Sequence, residues 1–572
     1  MPFNNIRNYF GEQQARKLLE WSNIQSTSGD PQAASNKILD SDSQRYLKSV
    51  RNALEQDPRI LQSEYDSLAA LYANRNLTKY EPFELFKLTD SMPATPPNRL
   101  PSRGIQSVPA FFHTDRIVFA DPLTTREQPL ESDTDPAALP LLGDIDYGLP
   151  VDPLLKELIH RKYTEYKCYL EQYCRPAGTT DATFKDFNKE QIPTAPTDPD
   201  LESTILSLID HFMAIAPYRP LHFVDTMFCK LPLVTGTGYH NRHSYKQRAH
   251  AKYSRPEEYE DRTTSKGYFI NATYENARTI IHRIKMEGYP FPTDTEQLEA
   301  SHPTRTNYLL RKFNTFFNSH PTMLFTRNHI SDRTGTLKVR PVYAVDDLFL
   351  IIELMLTFPA VVQARKPESA IMHGLETLRG SNHFIDSLAK SYESFFTIDW
   401  SEYDQRLPRA ITDCFFQKYL RRLIVINHGY QPTVEYPTYP DLSEHMLYQR
   451  MDNLLHFLNL WYNNMTFLSA DGYAYRRLYA GVPSGLYNTQ FLDSFGNLYL
   501  IIEGMLAFGL SEAQIKELTL FVLGDDNSGF TPWPLSTLDA FIAFLEKHAL
   551  TRWNMVLSKT KSLITVLRGR GT

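Results

Sequence analysis

The chain of 572 residues is 42% hydrophobic and 22% charged, which excludes disorder along its whole length and suits a large, multi-lobed protein. Sixty Lys and Arg against 66 Asp and Glu leave a formal net charge of −6, so a polyanion would have to be met by local basic surface. Four cysteines (Cys168, Cys174, Cys229, Cys414) with no CxxC exclude a disulfide framework and a zinc ribbon, and point to a reducing compartment.

The start, MPFNNIRNYF, lacks the apolar core of a signal peptide. Apolar positions in the first ninety residues recur at three and four, as in RKLLEWSNI, and predict helices. From Pro93 to Pro153 eleven prolines predict an extended segment wrapping a surface, or a linker. A helix opened by Pro153 follows, then a second proline-bearing break at Ile192–Asp200. Between Val234 and Arg255 there is no acidic residue, while Arg242, Lys246 and Arg248 alternate with Tyr239, Tyr245 and Tyr253. Cations of this kind follow a phosphate backbone and aromatic faces stack on bases, although a solvated basic loop reads the same way. A second basic run, Arg327 to Arg340 with Lys338, leads into PVYAVDDLFLIIELML, a strand followed by a buried helix. The most apolar stretch, Leu348 to Val362, is short and carries Glu353, so no membrane partner is expected.

The chemistry is concentrated in three later segments. In SFFTIDWSEYDQRLPRAI, Ser394 to Asp399 reads as a buried strand with Asp399 at its end. Pro408 opens a helix whose Ile411, Phe415, Tyr419 and Leu423 repeat every four residues, leaving Asp404 in the turn between. In GVPSGLYNTQFLDSFGNLYLIIEGM, a Pro-Ser-Gly turn at Ser484-Gly485 enters a helix whose Thr489, Asp493 and Asn497 align at i, i+4, i+8 beside an apolar face. In LTLFVLGDDNSGFTPW, the apolar strand Leu518–Leu523 runs into Gly524-Asp525-Asp526 and returns as a hairpin. Two like charges on a turn repel, and a cation would relieve them. Asp399, Asp525 and Asp526 on neighbouring strands would supply the hard oxygens that Mg²⁺ (or Mn²⁺) prefers, with substrate phosphates completing the octahedron. Lys559, after a helix-like stretch, could protonate a leaving group.

DxxxxD, SGxxxT with a later Asn, and GDD, in this order, resemble motifs A, B and C of viral RNA-dependent RNA polymerases. KVRPVYAV, GVPSGLYNTQFLDSFGN and LGDDNSGF look like those of partitiviruses, which carry double-stranded RNA genomes. The resemblance covers the chain from about Leu231 to its end. It implies an α+β right-hand polymerase with an antiparallel palm sheet flanked by helices: residues 1–230 as N-terminal region and part of the fingers, 231–390 as fingers, 391–572 as palm, with part of 425–475 an insertion. Asp399, Asp525 and Asp526 match the metal-binding carboxylates. Asp404 and Asn497 match the pair that senses the ribose 2′-hydroxyl, and Ser484, Gly485 and Thr489 the motif B loop. Lys338 and Arg340 match the cationic roof over the triphosphate, with Arg327 beside them. Thr235, Gly236, Gly238 and Tyr239 match a template guide, and Lys559 the motif D lysine. The family implies RNA template and product, ribonucleoside triphosphates and viral capsid protein as partners, in the virion interior or host cytoplasm. Asn488 stands where an aromatic residue is expected, and the chain ends soon after the third segment, so a thumb is expected to be missing. The competing expectations are a reverse transcriptase and a non-catalytic RNA-binding structural protein.

Overall fold

The computed structural model describes residues 86–88, 99–112, 151–174, 180–229, 238–239, 270–332, 339–373, 381–425, 430, 444–469 and 472–566. The helical expectation for the first ninety residues meets them only at 86–88, which form a strand and not a helix, and most of the proline-rich segment lies outside them. β1 (Phe86–Leu88) and β2 (Ile105–Phe112) open the described chain. β2 lies within a sheet although it carries Pro109, which cannot donate to a ladder. The register with its later neighbour shifts between Tyr473 and Tyr475, opposite that proline.

Helix α1 (Pro199–Met213) is capped by the Asp198 carboxylate, which accepts from the Asp200 and Leu201 amides, and has proline in its first turn. Its Ile205, Leu208, Ile209 and Phe212 form one buried face. After α2 (Ile270–Glu287) come β3 (Thr322–Asn328) and β4 (Val339–Ala344), an antiparallel pair. α3 (Asp347–Gln363) then follows, capped by Asp346 and buried along most of its length. The expected strand and buried helix of PVYAVDDLFLIIELML are therefore both present.

β5 (Ser394–Thr397) is two residues shorter than expected and leaves Asp399 beyond its end; β6 (Trp400–Ser401) follows. Asp404 sits in a single helical turn, Tyr403–Arg406. α4 runs over Arg409–Leu423 with a π turn at Phe415–Tyr419, and Ile411, Phe415, Tyr419 and Leu423 are all buried. α5 (Glu444–Asn463) packs on α2 and α3 and buries Leu454, Phe457, Leu458 and Trp461. That part of 425–475 is thus core, whereas 426–429 and 431–443 lie outside the described residues.

β7 (Phe467–Leu468) and β8 (Tyr473–Arg477) precede α6 (Thr489–Phe508), which stops at Gly509 in the left-handed conformation. Among the described residues α6 alone is long and apolar enough to cross a membrane. Of that stretch 83% is buried inside the protein, as in a core helix. β9 (Thr519–Leu523) and β10 (Asp526–Thr531) form a hairpin, followed by α7 (Leu535–Trp553), β11 (Val556–Leu557) and β12 (Leu563–Val566).

Two larger sheets organise most of these strands, while β6 and β11 pair with each other separately. One has the order β1-β2-β8-β7-β3-β4, antiparallel except for β3 beside β7. The other, β9-β10-β5-β12, is antiparallel throughout, with α6 and α7 packed on it. A mixed helix and sheet protein with an antiparallel sheet flanked by helices is what the sequence led us to expect. β5 lies at the centre of that second sheet, and Phe396 faces Gly529 across the β5–β10 pair. A Cβ on Gly529 would stand 2.1 Å from the Phe396 ring, so the missing side chain is what lets the ring lie over the strand. Gly529→Ala should therefore destabilise the protein by about 1–3 kcal/mol through overpacking, read as a lower denaturation midpoint in chemical unfolding.

Candidate active site

The second sheet brings the acidic segments together. The β5–β10 register pairs Phe396 with Gly529. Beyond the last paired residues the Asn527 side chain continues it, its amide donating to the Ile398 carbonyl (2.8 Å) and accepting from the Ile398 amide (2.9 Å). Asp399 is the next residue along, one position beyond this contact. The β9–β10 turn contains Gly524 and Asp525 between the paired Leu523 and Asp526. Gly524 has φ +67°, a conformation glycine adopts without steric cost and one that suits the first place of a two-residue hairpin turn.

Asn497, fully buried on α6, holds that turn. Its amide nitrogen donates to the carbonyls of Gly524 (3.1 Å), Asp525 (2.8 Å) and Asp526 (3.2 Å), and its oxygen accepts from Trp400 Nε1 (3.0 Å) and Asn527 Nδ2 (3.2 Å). Ser494, one turn earlier, accepts from the Gly524 amide at 2.9 Å. Asp399 is held from the other side: its amide donates to Ser562 Oγ and its carbonyl accepts from the Ser558 amide. The Asp525 carboxyl is pushed above the ordinary carboxylate range, first by burial and then by the charges of Asp404 and Asp526, with Arg340 opposing the shift.

Asp404 is joined to the loop before α6. Ser484 Oγ donates to Asp404 Oδ2 at 2.5 Å, and the Val482 amide to the Asp404 carbonyl at 2.6 Å. Thr489 closes the loop on itself, donating to the Pro483 and Leu486 carbonyls, while the Gly485 amide donates to Thr489 Oγ1. A Cβ on Gly485 would lie 2.1 Å from the Tyr343 carbonyl oxygen, so the loop reaches β4 only because that position is glycine. Asn488, the departure from the aromatic expected there, is buried: its amide donates to the Glu353 carboxylate and its side chain accepts from Thr357. The Tyr487 amide also donates to Glu353. The one acidic residue in the most apolar stretch of the chain therefore anchors this loop, and its isolation in that stretch was the available signal.

Arg327 and Arg340 face each other in the β3–β4 register, and both are exposed. Like charges directly opposite on neighbouring strands destabilise a sheet, and an anion lying across them would offset that. Arg340 is also close enough to act on the Asp525 charge.

Three placements differ from the sequence expectations. Tyr239 has no exposed surface and so cannot stack on a base, because the chain there packs inward and Gly238 lies against the Asp346 backbone. Asn497 spends its hydrogen bonds on the hairpin and not beside Asp404, since the helix repeat carries it two turns past Thr489. Lys559 pairs with Glu546 on α7 (2.7 Å), whereas Lys561, which the sequence gave no reason to prefer, stands 3.7 Å from Asp399 Oδ1. Lys338, Thr235, Gly236, Arg242, Lys246 and Arg248 lie outside the described residues.

No cluster of three or more His, Cys, Asp or Glu among the described residues closes a metal cage by itself. The donor set still suits Mg²⁺, which is held by one or two carboxylates with phosphate and water filling the octahedron. The crowding of Asp525 by Asp404 and Asp526 is the repulsion a bound cation would relieve.

No protein-family model matches the chain. It is 36% identical over 529 residues, 88% of this chain and 74% of the relative, to a protein named RNA-directed RNA polymerase from Atkinsonella hypoxylon virus (isolate 2H). It is 28% identical over 295 residues, 49% of this chain and 44% of the relative, to one of the same name from White clover cryptic virus 1 (isolate Boccardo/2004).

Replacing Asn497 by Leu would strand three carbonyls and the Trp400 indole N–H. Urea unfolding should show a loss of about 3 kcal/mol; a loss below about 0.5 kcal/mol would mean that solvent satisfies these groups equally well.

Proposed function

The chain belongs to the viral RNA-directed RNA polymerases of the partitivirus-like kind, and on that premise we propose that the clustered carboxylates are its catalytic centre. The enzyme makes RNA from ribonucleoside triphosphates on an RNA template. We read the four-stranded antiparallel sheet with its helices, within 391–572, as the palm, and 231–390, with the arginine-bearing hairpin, as fingers. Capsid protein as a partner, in the virion interior or host cytoplasm, belongs to the same reading.

In this reading Asp399 and Asp525, assisted by Asp526, hold Mg²⁺ or Mn²⁺ together with triphosphate oxygens. The ions, when bound, favour the deprotonated 3′-hydroxyl and neutralise the leaving pyrophosphate. The chain's own work is positioning. Asn497 and Asn527 keep the two acidic segments in one geometry, so the carboxylates need little reorganisation as the triphosphate arrives. Arg327 and Arg340, with Lys338, neutralise the triphosphate and set its phosphates over the carboxylates. Asp404, oriented by Ser484, accepts a hydrogen bond from the ribose 2′-hydroxyl, which can both donate and accept. Gly485 and Thr489 hold the loop that supports base and template.

For the proton delivered to pyrophosphate, the 3.7 Å contact of Lys561 with Asp399, against the pairing of Lys559 with Glu546, favours Lys561 as the donor. The observation that carries the whole reading is the crowding of Asp525 by two other carboxylates on a turn anchored to the strand of Asp399.

The test is primed or unprimed RNA synthesis by the purified chain on an RNA template with four ribonucleotides and Mg²⁺. Asp525→Ala should lower incorporation by about 10³-fold with the circular dichroism spectrum unchanged; residual activity above a tenth would sink the assignment. In single-turnover measurements Lys561→Leu should slow the reaction by about 10²-fold, while Lys559→Leu stays within about threefold. The reverse ranking would restore Lys559 as the donor.

A further inference from the structure

Residues 186–191, in the N-terminal region, grip both segments that meet at Asp404. One is the turn of Asp404 itself. Glu402, which opens it, has φ +55° and ψ +40°, a left-handed conformation that a glutamate keeps only where its surroundings hold it. Lys189 Nζ stands 2.8 Å from Glu402 Oε1 and Arg406 Nη2 3.2 Å from its Oε2. Beyond Asp404, Gln405 Nε2 donates to Asp186 Oδ2 at 3.0 Å. The other segment is the chain that runs from β8 to Ser484. Its Ala480 faces Pro408 as an antiparallel bridge, with the Tyr479 carbonyl accepting from the Arg409 amide and the Gly481 amide donating to the Leu407 carbonyl. In such a pair the residue's own N–H and C=O point away from its partner, and both end on Gln191, which is 2% exposed. Gln191 Oε1 accepts from the Tyr479 (3.1 Å) and Ala480 (3.2 Å) amides, and its Nε2 donates to the Ala480 carbonyl (2.9 Å). Gln191 is backed in turn by the main chain behind it: its amide donates to the Arg103 carbonyl, and a Cβ on Gly104 would stand 2.5 Å from its Cβ.

We propose that residues 186–191 clamp the nucleotide site from outside it, and that Gln191 is a positioning residue for nucleotide incorporation because it sets where Ser484 stands relative to Asp404. This rests on the reading of Asp404 as the group that meets the sugar. Ser484 Oγ donates to Asp404 Oδ2 at 2.5 Å, and that bond orients the carboxylate only while the two segments keep their register. The four residues from Ala480 to Ser484 do not fix the register themselves, since they include Gly481 at φ +109°, where the chain is free to turn. Gln191 supplies what the local chain lacks: it acts as a third strand edge, holding Ala480 from the side that Pro408 leaves open. An apolar residue at 191 would leave the buried N–H and C=O of Ala480 without partners, and the loop would shift to find others. Lys189 and Asp186 hold the opposite wall at the two ends of the Asp404 turn. The clamp thus works through Ala480, Glu402 and Gln405, and a displacement of about 1 Å at such a site is enough to slow a reaction by about 10²-fold.

The experiment measures ribonucleotide incorporation by the full chain on an RNA template, with KM and kcat separated. Gln191→Leu should raise the KM for the ribonucleotide at least about tenfold while kcat stays within about threefold. In a Ser484→Ala background the same change should add less than about threefold, because the bond it positions is already gone. A smaller rise in KM, a larger loss of kcat, or the full effect on top of Ser484→Ala overturns the proposal. Should Gln191→Leu not fold, Lys189→Met decides, since it removes only a partly exposed ion pair: a KM raised about threefold or more supports the clamp, and a smaller change overturns it. Asp404→Ala judges the parent reading separately. An unchanged KM in that variant defeats the sugar role of Asp404, whereas a raised KM there beside an unchanged one in Gln191→Leu defeats only the clamp.

Discussion

Everything at the centre of this protein depends on two asparagine side chains. Asn527 reaches sideways from the hairpin to the backbone of Ile398, and Asn497 reaches down from α6 to three successive carbonyls of the turn. The two amides also bond to each other at 3.2 Å. A strand end, a hairpin tip and a helix thereby become one rigid body. Amides suit this task because each carries donors and an acceptor but no charge, so they can be buried beside carboxylates without adding to the repulsion there. Fully satisfied buried networks of this kind hold a geometry more tightly than the separate bonds would.

That rigidity is set against a local conflict. Asp525 feels the charges of Asp404 and Asp526, buried Asp493 feels those of Asp404 and Asp525, and the arginines of β3 and β4 face each other across their ladder. Neither arrangement lowers the energy of folding. Each arrangement is frustrated alone, and in the proposed reading a triphosphate with its cations would relieve both. α3 carries Asp347 in its first turn and Glu353 further along, and Glu353 is used to hold the Tyr487 and Asn488 amides.

Legibility in the sequence followed the range of the interaction. The hairpin with GDD at its tip, the strand before Asp399, the Pro408 helix and the strand and helix after Arg340 were readable, because alternation and four-residue repeats are local signals. Asp404 was expected in a turn and lies in a helical turn, a difference of one hydrogen-bond pattern over the same few residues. The errors of placement concern side chains whose direction depends on a partner distant in sequence. The resemblance pairs Asn497 with Asp404 at the sugar, yet the carbonyls its side chain holds lie 27 to 29 residues further along. Lys559 and Lys561 are two residues apart in the same basic run, and only the position of Glu546 on α7 separates them. Tyr239 sits in a segment whose composition suggested an RNA surface, and its ring points inward.

The ordered acidic motifs and their resemblance to viral RNA polymerases were enough to give the family, and local alternation was enough to give the strands and helices that carry those motifs. Tertiary structure alone decided which polar side chain of α6 faces Asp404, which lysine faces Asp399 and why Asn488 and Glu353 are where they are. Each of these is a contact between segments 89 to 162 residues apart. Along a chain such pairs leave no periodic trace; they exist only once packing has brought the helix, the strand end and the hairpin together.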